Sequence, residues 1–151
     1  MRSIFADTSA LFSLIDRTDR YHKKAIELSK KTRKENLEIV ISDHILSETI
    51  TLVRNKIGFP QASLMGIKLF DSRITTLIIV DENILKMAWD IFSKYTDKDF
   101  SFVDCISFAV MKQTGIDTAF TFDHHFVEIG FRILGRWRKR EKQERTILKI
   151  P

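Results

Sequence analysis

Apolar and polar positions alternate along this chain with two periods, one typical of strands and one typical of helices. Short continuous apolar runs predict five buried strands, at residues 3–6, 37–41, 77–80, 118–122 and 131–134. Apolar residues recur at helical spacing between these runs, and they predict helices within 11–28 and over 42–57, 62–70, 83–94 and 102–113. This succession predicts an α/β domain with a mainly parallel sheet and right-handed crossovers.

Composition narrows the class of protein. A chain of 151 residues that is 44% hydrophobic can bury a core, which argues against disorder. The single cysteine, Cys105, excludes a disulfide framework and a cysteine-based zinc site. No apolar run approaches the roughly 20 residues that cross a bilayer, and Asp7 comes too early for a signal peptide. We therefore expect a cytoplasmic protein without a membrane partner.

The formal charge of +5 is concentrated at one end of the chain. Residues 136–151 carry seven basic and two acidic side chains, whereas residues 1–135 carry 18 of each sign. We therefore predict a domain over 1–135 and a basic extension over 136–151. The start of the extension mixes cations with an aromatic ring and is a candidate RNA contact, the alternative being a solvated charged helix. Its candidate residues are Arg136, Trp137, Arg138, Lys139 and Arg140.

Four acids stand out by their position. Asp7 follows the first strand and Asp123 the fourth, and open α/β sheets bind ligands at the carboxyl ends of their strands. Asp104 lies near a helix start, and Glu48 borders an apolar helix stripe. Taken singly, the three aspartates could be helix caps and Glu48 could meet a basic partner. Together they would repel each other strongly, and hard divalent cations such as Mg²⁺ relieve that repulsion.

The order of motifs resembles a known family. The succession Asp7-Thr8-Ser9-Ala10-Leu11, Ser47-Glu48, Ser101-Phe102-Val103-Asp104-Cys105 and Thr121-Phe122-Asp123-His124-His125-Phe126 is similar to the PIN-domain ribonucleases, above all to VapC-type toxins. The resemblance implies a three-layer α/β/α sandwich with a five-stranded, mainly parallel sheet. It also implies endonucleolytic cleavage of RNA that depends on Mg²⁺ or Mn²⁺.

The resemblance also assigns roles to individual residues. Asp7, Glu48, Asp104 and Asp123 fall on the acidic positions that hold metal and carry catalysis. The hydroxyl residues that would support these acids are Thr8, Ser9 and Thr121. His124 and His125 are adjacent residues at a helix start and would point in different directions, so we assign them a structural or substrate-edge role rather than a catalytic one.

Partners and alternatives complete the expectations. The resemblance implies the toxin of a type II toxin–antitoxin pair, with RNA as substrate, a small antitoxin protein as partner, and a homodimer. The apolar helices after Pro60 are a candidate face for that dimer. A PIN nuclease in housekeeping tRNA or rRNA processing and a catalytically inactive RNA- or protein-binding module remain open. A phosphatase is disfavoured, because Asp7-Thr8-Ser9 lacks the second acid that such phosphatases need. A receiver is disfavoured, because it would need an acid pair and a lysine after its last strands, and Arg132 lies within a strand.

Overall fold

The computed structural model describes residues 2–135. Its five strands are β1 (Ser3–Ala6), β2 (Glu38–Ser42), β3 (Thr75–Ile78), β4 (Thr118–Phe120) and β5 (Arg132–Ile133). Its seven helices are α1 (Thr8–Ile15), α2 (His22–Lys34), α3 (Asp43–Lys56), α4 (Phe59–Phe70), α5 (Glu82–Lys94), α6 (Phe102–Thr114) and α7 (His125–Glu128). The predicted extension 136–151, with its candidate RNA contacts, lies outside the described residues.

All five strands run parallel, in the order β3-β2-β1-β4-β5. Parallel neighbours need crossover connections, and every connection between the strands contains at least one helix. Crossovers between parallel strands are right-handed as a rule, and with this strand order the rule places α1 to α4 on one face of the sheet and α5 to α7 on the other. The prediction of a five-stranded α/β/α architecture is therefore confirmed, and the sheet is parallel throughout.

The core lies on both faces of the central strand β1. Ile4, Phe5 and Ala6 are all buried, as a strand covered by helices on both sides requires. The middle of α6 is buried on every side, with Phe108 at its centre in ring contact with Phe100 and Phe126. This packing fixes the start of α6 relative to the sheet.

Several element boundaries differ from the sequence prediction. Strand β3 begins at Thr75, two residues before the apolar run, because the buried Thr75 hydroxyl donates to the Leu69 carbonyl oxygen at 2.6 Å and its backbone pairs with Ile39. Helix α7 spans four residues, too short to show a helical period. Within residues 2–135, none of the helices has the length and apolarity to cross a bilayer.

The strand order reverses at β1, which has β2 on one side and β4 on the other. In parallel sheets this switch point opens a crevice at the carboxyl ends of the strands. The backbone N–H of Asp7 donates to the Phe120 carbonyl oxygen at 3.0 Å, which extends the β1–β4 ladder up to that edge. The residues that follow β1 and β4 are therefore held side by side.

Candidate metal centre

Asp7 is the buried acid of this crevice, with a relative exposure of 6%. It precedes α1, but its side chain caps no helix N–H. Its Oδ2 instead accepts hydrogen bonds from Thr121 Oγ1 at 2.9 Å and Ser9 Oγ at 3.0 Å. Burial raises the pKa of Asp7 to about 6, with these two hydrogen bonds opposing the shift and the charges of Asp104 and Asp123 adding to it.

Two hydroxyls connect Asp7 to the segment after β4. Thr121 Oγ1 accepts a hydrogen bond from the Asp123 backbone N–H at 3.0 Å while it donates to Asp7. Ser9 Oγ accepts from the Phe122 backbone N–H at 3.0 Å. Both hydroxyls therefore tie the end of β4 to the carboxylate after β1, which fixes the separation between Asp7 and Asp123.

Asp104 enters the crevice from the first turn of α6. Its Oδ2 accepts from the Ser101 backbone N–H, and its own N–H donates to Ser101 Oγ, each at 3.0 Å. These two bonds form a capping box, which satisfies backbone donors at the helix start. The cap orients the carboxylate, so the capping interpretation and the metal-site interpretation of Asp104 are compatible.

His125 joins two of the acids. Its Nδ1 lies 3.0 Å from Asp104 Oδ2 and 3.3 Å from Asp123 Oδ1. The ring is largely enclosed and makes an edge contact with Phe100 at 5.3 Å between centroids. The sequence interpretation gave His125 no special role over His124, and no local signal separates them, because the difference arises from how α7 packs against α6.

Two of the predicted positions lie apart from this cluster. The buried Thr8 hydroxyl accepts from Thr49 Oγ1 at 3.3 Å and, in the described chain, bonds none of the acids. Glu48, the neighbour of Thr49 on α3, is exposed and makes no hydrogen bond or ion pair within residues 2–135. The structure therefore brings together Asp7, Asp104 and Asp123 with Ser9 and Thr121, and it leaves Glu48 exposed beside Thr49, which contacts Thr8 at the start of α1.

The donor set fits a hard divalent cation. Among the described residues, each of the three aspartates uses one carboxylate oxygen for protein hydrogen bonds and leaves the other without a protein donor, namely Asp7 Oδ1, Asp104 Oδ1 and Asp123 Oδ2. Oxygen ligands of this kind suit Mg²⁺ and Mn²⁺. The nearby Cys105 is no competing ligand, since burial, with a smaller effect of Asp104, raises its thiol pKa to about 11.

A different trio in the same region is geometrically tighter. Asp123, His124 and His125 each offer a ligand atom within 4.8 Å of the others, and Asp7 and Asp104 do not belong to that group in the described chain. His125 Nδ1 is already shared by two carboxylates, and His124 Nε2 lies 3.3 Å from Glu128 Oε1. We favour the all-oxygen set, because these contacts already engage one nitrogen of each imidazole.

This chain is similar to known proteins over most of its length. A family model described as the PIN domain matches residues 4–132. The chain is 32% identical over 130 residues to a protein of Mycobacterium tuberculosis named 23S rRNA-specific endonuclease VapC20, a match that covers 85% of this chain and 95% of that relative.

Solved structures agree with the sequence comparison. The crystal structure of Mycobacterium tuberculosis VapC20, described as a sarcin-ricin loop cleaving toxin, superposes with a TM-score of 0.78 at 30% identity, over 85% of this chain and 95% of that one. FitAcB from Neisseria gonorrhoeae superposes with a TM-score of 0.67 at 17% identity, over 89% and 98%, and shares the fold.

Proposed function

Because the chain belongs to the PIN-domain family and is a homologue of a VapC-type endonuclease toxin, we propose that it is a metal-dependent endoribonuclease and the toxin of a type II toxin–antitoxin pair. The observation that carries the proposal is the convergence of Asp7, Asp104 and Asp123 at the switch point of the sheet. Each of these acids keeps one oxygen without a protein donor.

These three aspartates would hold one or two Mg²⁺ or Mn²⁺ ions, and Glu48 would complete the shell directly or through water. When bound, such ions activate water for attack on a phosphodiester and offset the negative charge of the transition state. The chain contributes the positioning. Ser9 and Thr121 hold Asp7, while the capping box and His125 hold Asp104.

The Mycobacterium tuberculosis relative is named a 23S rRNA-specific endonuclease, and this name indicates which RNA to test first. We propose 23S rRNA as the RNA to test before others, with tRNA as the alternative that a housekeeping processing role would favour. A small antitoxin is the proposed protein partner. The cluster of carboxylates would attract an arginine from such a partner, since guanidinium and carboxylate form paired charge-assisted hydrogen bonds.

Cleavage of purified RNA tests the proposal. We expect wild-type protein to cut rRNA with Mg²⁺ or Mn²⁺ and not with EDTA, and Asp7→Asn, Asp104→Asn and Asp123→Asn to lose the cut. Asp97→Asn is the matched control, because Asp97 is an exposed loop acid. Mapping of the RNA ends would identify the target. Equal cleavage by wild type and Asp7→Asn would contradict the proposal.

The competing hypothesis is a catalytically inactive binding module that keeps the PIN fold. A binding module would bind RNA or a protein and would show no metal-dependent cut with any RNA tested. Isothermal titration of Mn²⁺ separates the two, because a nuclease should bind metal through Asp7 and Asp104 even before a substrate is known. Glu48→Gln in the same titration tests whether the exposed acid takes part in metal binding.

The basic residues 136–151 have a separate proposed role. They carry the whole net charge of +5, which leaves residues 1–135 neutral. We propose that Arg136, Trp137, Arg138, Lys139 and Arg140 contact RNA. Deletion of 136–151 should weaken RNA binding and flatten its salt dependence while the metal-dependent cut remains. An unchanged salt slope would contradict this role.

A further inference from the structure

A cation and two aromatic rings are stacked beside the three aspartates. The rings of Tyr21 and Phe122 lie 4.5 Å apart and are parallel to within 1°. The guanidinium carbon of Arg20 lies 4.6 Å from the centroid of the Tyr21 ring. Because Phe122 covers one face of that ring, the guanidinium lies over the other face. The stack therefore runs outward from Phe122 through Tyr21 to Arg20.

Within residues 2–135, Arg20 has no acidic partner. Its side chain is exposed and makes no hydrogen bond or ion pair with another described residue. The two acids of the same loop are engaged elsewhere. Asp16 Oδ1 accepts from the Thr18 N–H and hydroxyl, at 2.9 Å and 2.7 Å. Asp19 Oδ1 accepts from the Tyr21 N–H at 2.8 Å. The guanidinium donors are therefore available to an anion, and their planar fork matches phosphate.

The loop that carries Arg20 is tied down on the side of α1. Ser13 Oγ donates to Asp19 Oδ1 at 3.0 Å, and the Ser13 carbonyl oxygen lies 2.7 Å from His22 Nδ1. These bonds fix the backbone on both sides of Arg20, and the cation–π contact fixes its side chain. A group held in place before binding loses less conformational entropy when its ligand arrives.

The stack begins at the metal centre. The Phe122 N–H donates to Ser9 Oγ, the hydroxyl that also donates to Asp7, and Phe122 immediately precedes Asp123. Two ring spacings of about 4.5 Å separate the guanidinium from the Phe122 ring, and no hydrogen bond or ion pair within residues 2–135 joins Arg20 to the three aspartates. Residues 16–24 carry four Arg or Lys and two Asp, a net positive rim beside the carboxylates that would otherwise repel RNA.

We propose that Arg20, held flat on Tyr21, binds a backbone phosphate of the RNA substrate other than the one that is cleaved. This inference rests on the proposed function, because the acid cluster would take the scissile phosphate. The Arg20 contact would set the direction in which the strand leaves the site. A phosphate contact carries no base information, so it would act equally on different RNA sequences.

Salt-dependent RNA binding tests the inference. Binding of a fluorescent single-stranded RNA is measured from 50 to 300 mM KCl with Asp7→Asn protein, which should bind without cutting, alone or combined with each further change. We expect Arg20→Ala to weaken binding by about tenfold and to reduce the slope of log Kd against log salt by about 0.7, the value for one phosphate on a single strand. Arg17→Ala is the matched control, an exposed arginine of the same loop that makes no ring contact with another described residue.

Two further variants separate charge from orientation. Arg20→Lys should keep the salt slope and recover part of the affinity, because lysine supplies the charge without the planar fork. Tyr21→Leu should weaken RNA binding at an unchanged salt slope, because the charge of Arg20 remains while the ring that holds its side chain is lost. In active protein, Arg20→Ala should raise KM and leave kcat and Mn²⁺ affinity unchanged, since the contact lies outside the metal centre.

Three results would overturn the inference. If Arg20→Ala and Arg17→Ala changed RNA affinity and salt slope equally, Arg20 would contribute only general positive surface charge. Weaker binding by Arg20→Ala at an unchanged salt slope would indicate base stacking. Unchanged RNA affinity together with lost binding of a co-expressed small protein would assign Arg20 to a protein interface. Failure of the proposed function would give a different result from these three. RNA would still bind with a salt slope that depends on Arg20, but wild-type protein with metal would leave it uncut.

Discussion

Asp104 and Asp123 each hold a helix start with one carboxylate oxygen. Asp104 Oδ2 accepts from the Ser101 N–H, and Asp123 Oδ1 accepts from the His125 N–H at 2.9 Å. A carboxylate has two oxygens, so the same side chain can cap a helix and still offer a ligand. Asp7 differs, because side-chain hydroxyls rather than helix N–H groups bind its oxygen.

The buried charge of Asp7 should make stability depend on pH. Its pKa rises from 3.8 to about 6 on folding, so between these values the folded state binds more protons than the unfolded state. The contribution of Asp7 to the free energy of unfolding should therefore fall as pH rises from 4 to 6 and stay lower above that. The ionised carboxylate costs roughly 3 kcal/mol at most, at about 1.4 kcal/mol per pKa unit.

Asp7→Asn removes this titration. In EDTA we expect Asp7→Asn to be more stable than wild type above pH 6, with the difference vanishing towards pH 4, in urea unfolding followed at each pH. Mn²⁺ at pH 7 should stabilise wild type more than Asp7→Asn, because a cation compensates the buried charge. A wild-type stability that rises relative to Asp7→Asn from pH 4 to 7 would contradict the environment described for Asp7.

His125, whose imidazole lies between Asp104 and Asp123, should contribute to metal binding. His125→Ala should reduce metal affinity or cleavage by roughly 10- to 100-fold, as is typical when a partner of metal ligands is lost. His125→Asn should recover part of that loss, because its amide N–H₂ can donate from nearly the position of Nδ1. His124→Ala is the control, since His124 is exposed, and an effect as large as that of His125→Ala would refute the assignment.

At the level of elements, the sequence predicts well where apolar periodicity and caps coincide. The apolar spacing from Phe102 and the following Gly115 predict helix α6, and in the structure Ser101 caps it and Gly115 ends it with a φ of +72° in the left-handed region. Asp7 and Asp123 were identified because a parallel sheet places the ends of β1 and β4 at one edge. These signals lie within a few residues of the feature they predict.

The features of the site that the sequence does not predict depend on contacts between distant segments. His125 and Glu48 both lie on helices, and only the packing of α7 and α3 decides that His125 faces the acids while Glu48 is exposed. The stack of Tyr21 on Phe122 joins residues on opposite sides of the switch point. No period or cap in a single segment encodes such a pairing.

The capping box of α6 provides a test at this scale. Ser101→Ala removes the hydroxyl that accepts the Asp104 N–H, and we expect it to lower the free energy of unfolding by about 1 kcal/mol. Metal affinity should change little, because the Ser101 N–H and His125 still hold Asp104 Oδ2. Ser93→Ala, at an exposed position of α5, is the control. A loss of metal affinity without a loss of stability would contradict this division of roles.

At the scale of the whole molecule, α4 presents apolar side chains that residues 2–135 leave uncovered. Phe59, Leu64, Ile67 and Phe70 are all exposed, while the opposite side of α4 packs against α3 and β3. An apolar patch of this kind marks an interface more often than a free surface. We propose that a second copy of the chain covers it, as the expected homodimer requires.

Light scattering on wild type and two charged variants tests the dimer. Ile67→Glu should dissociate it, because the exposed Ile67 lies in the middle of the α4 face. Phe92→Glu changes an exposed aromatic residue on α5 and should leave the dimer intact. A monomeric wild type, or dissociation by Phe92→Glu alone, would contradict an α4 interface.

The pairing of β1 with β4 has a consequence for synthesis of the chain. Thr121 and Asp7 are 114 positions apart, yet one hydrogen bond joins them, and Asp123 follows within the same segment. A nascent chain that ends before residue 118 has no β4, so it cannot assemble the three aspartates. Any activity that requires them together is therefore silent in truncated translation products and begins only after nearly the whole described chain has left the ribosome.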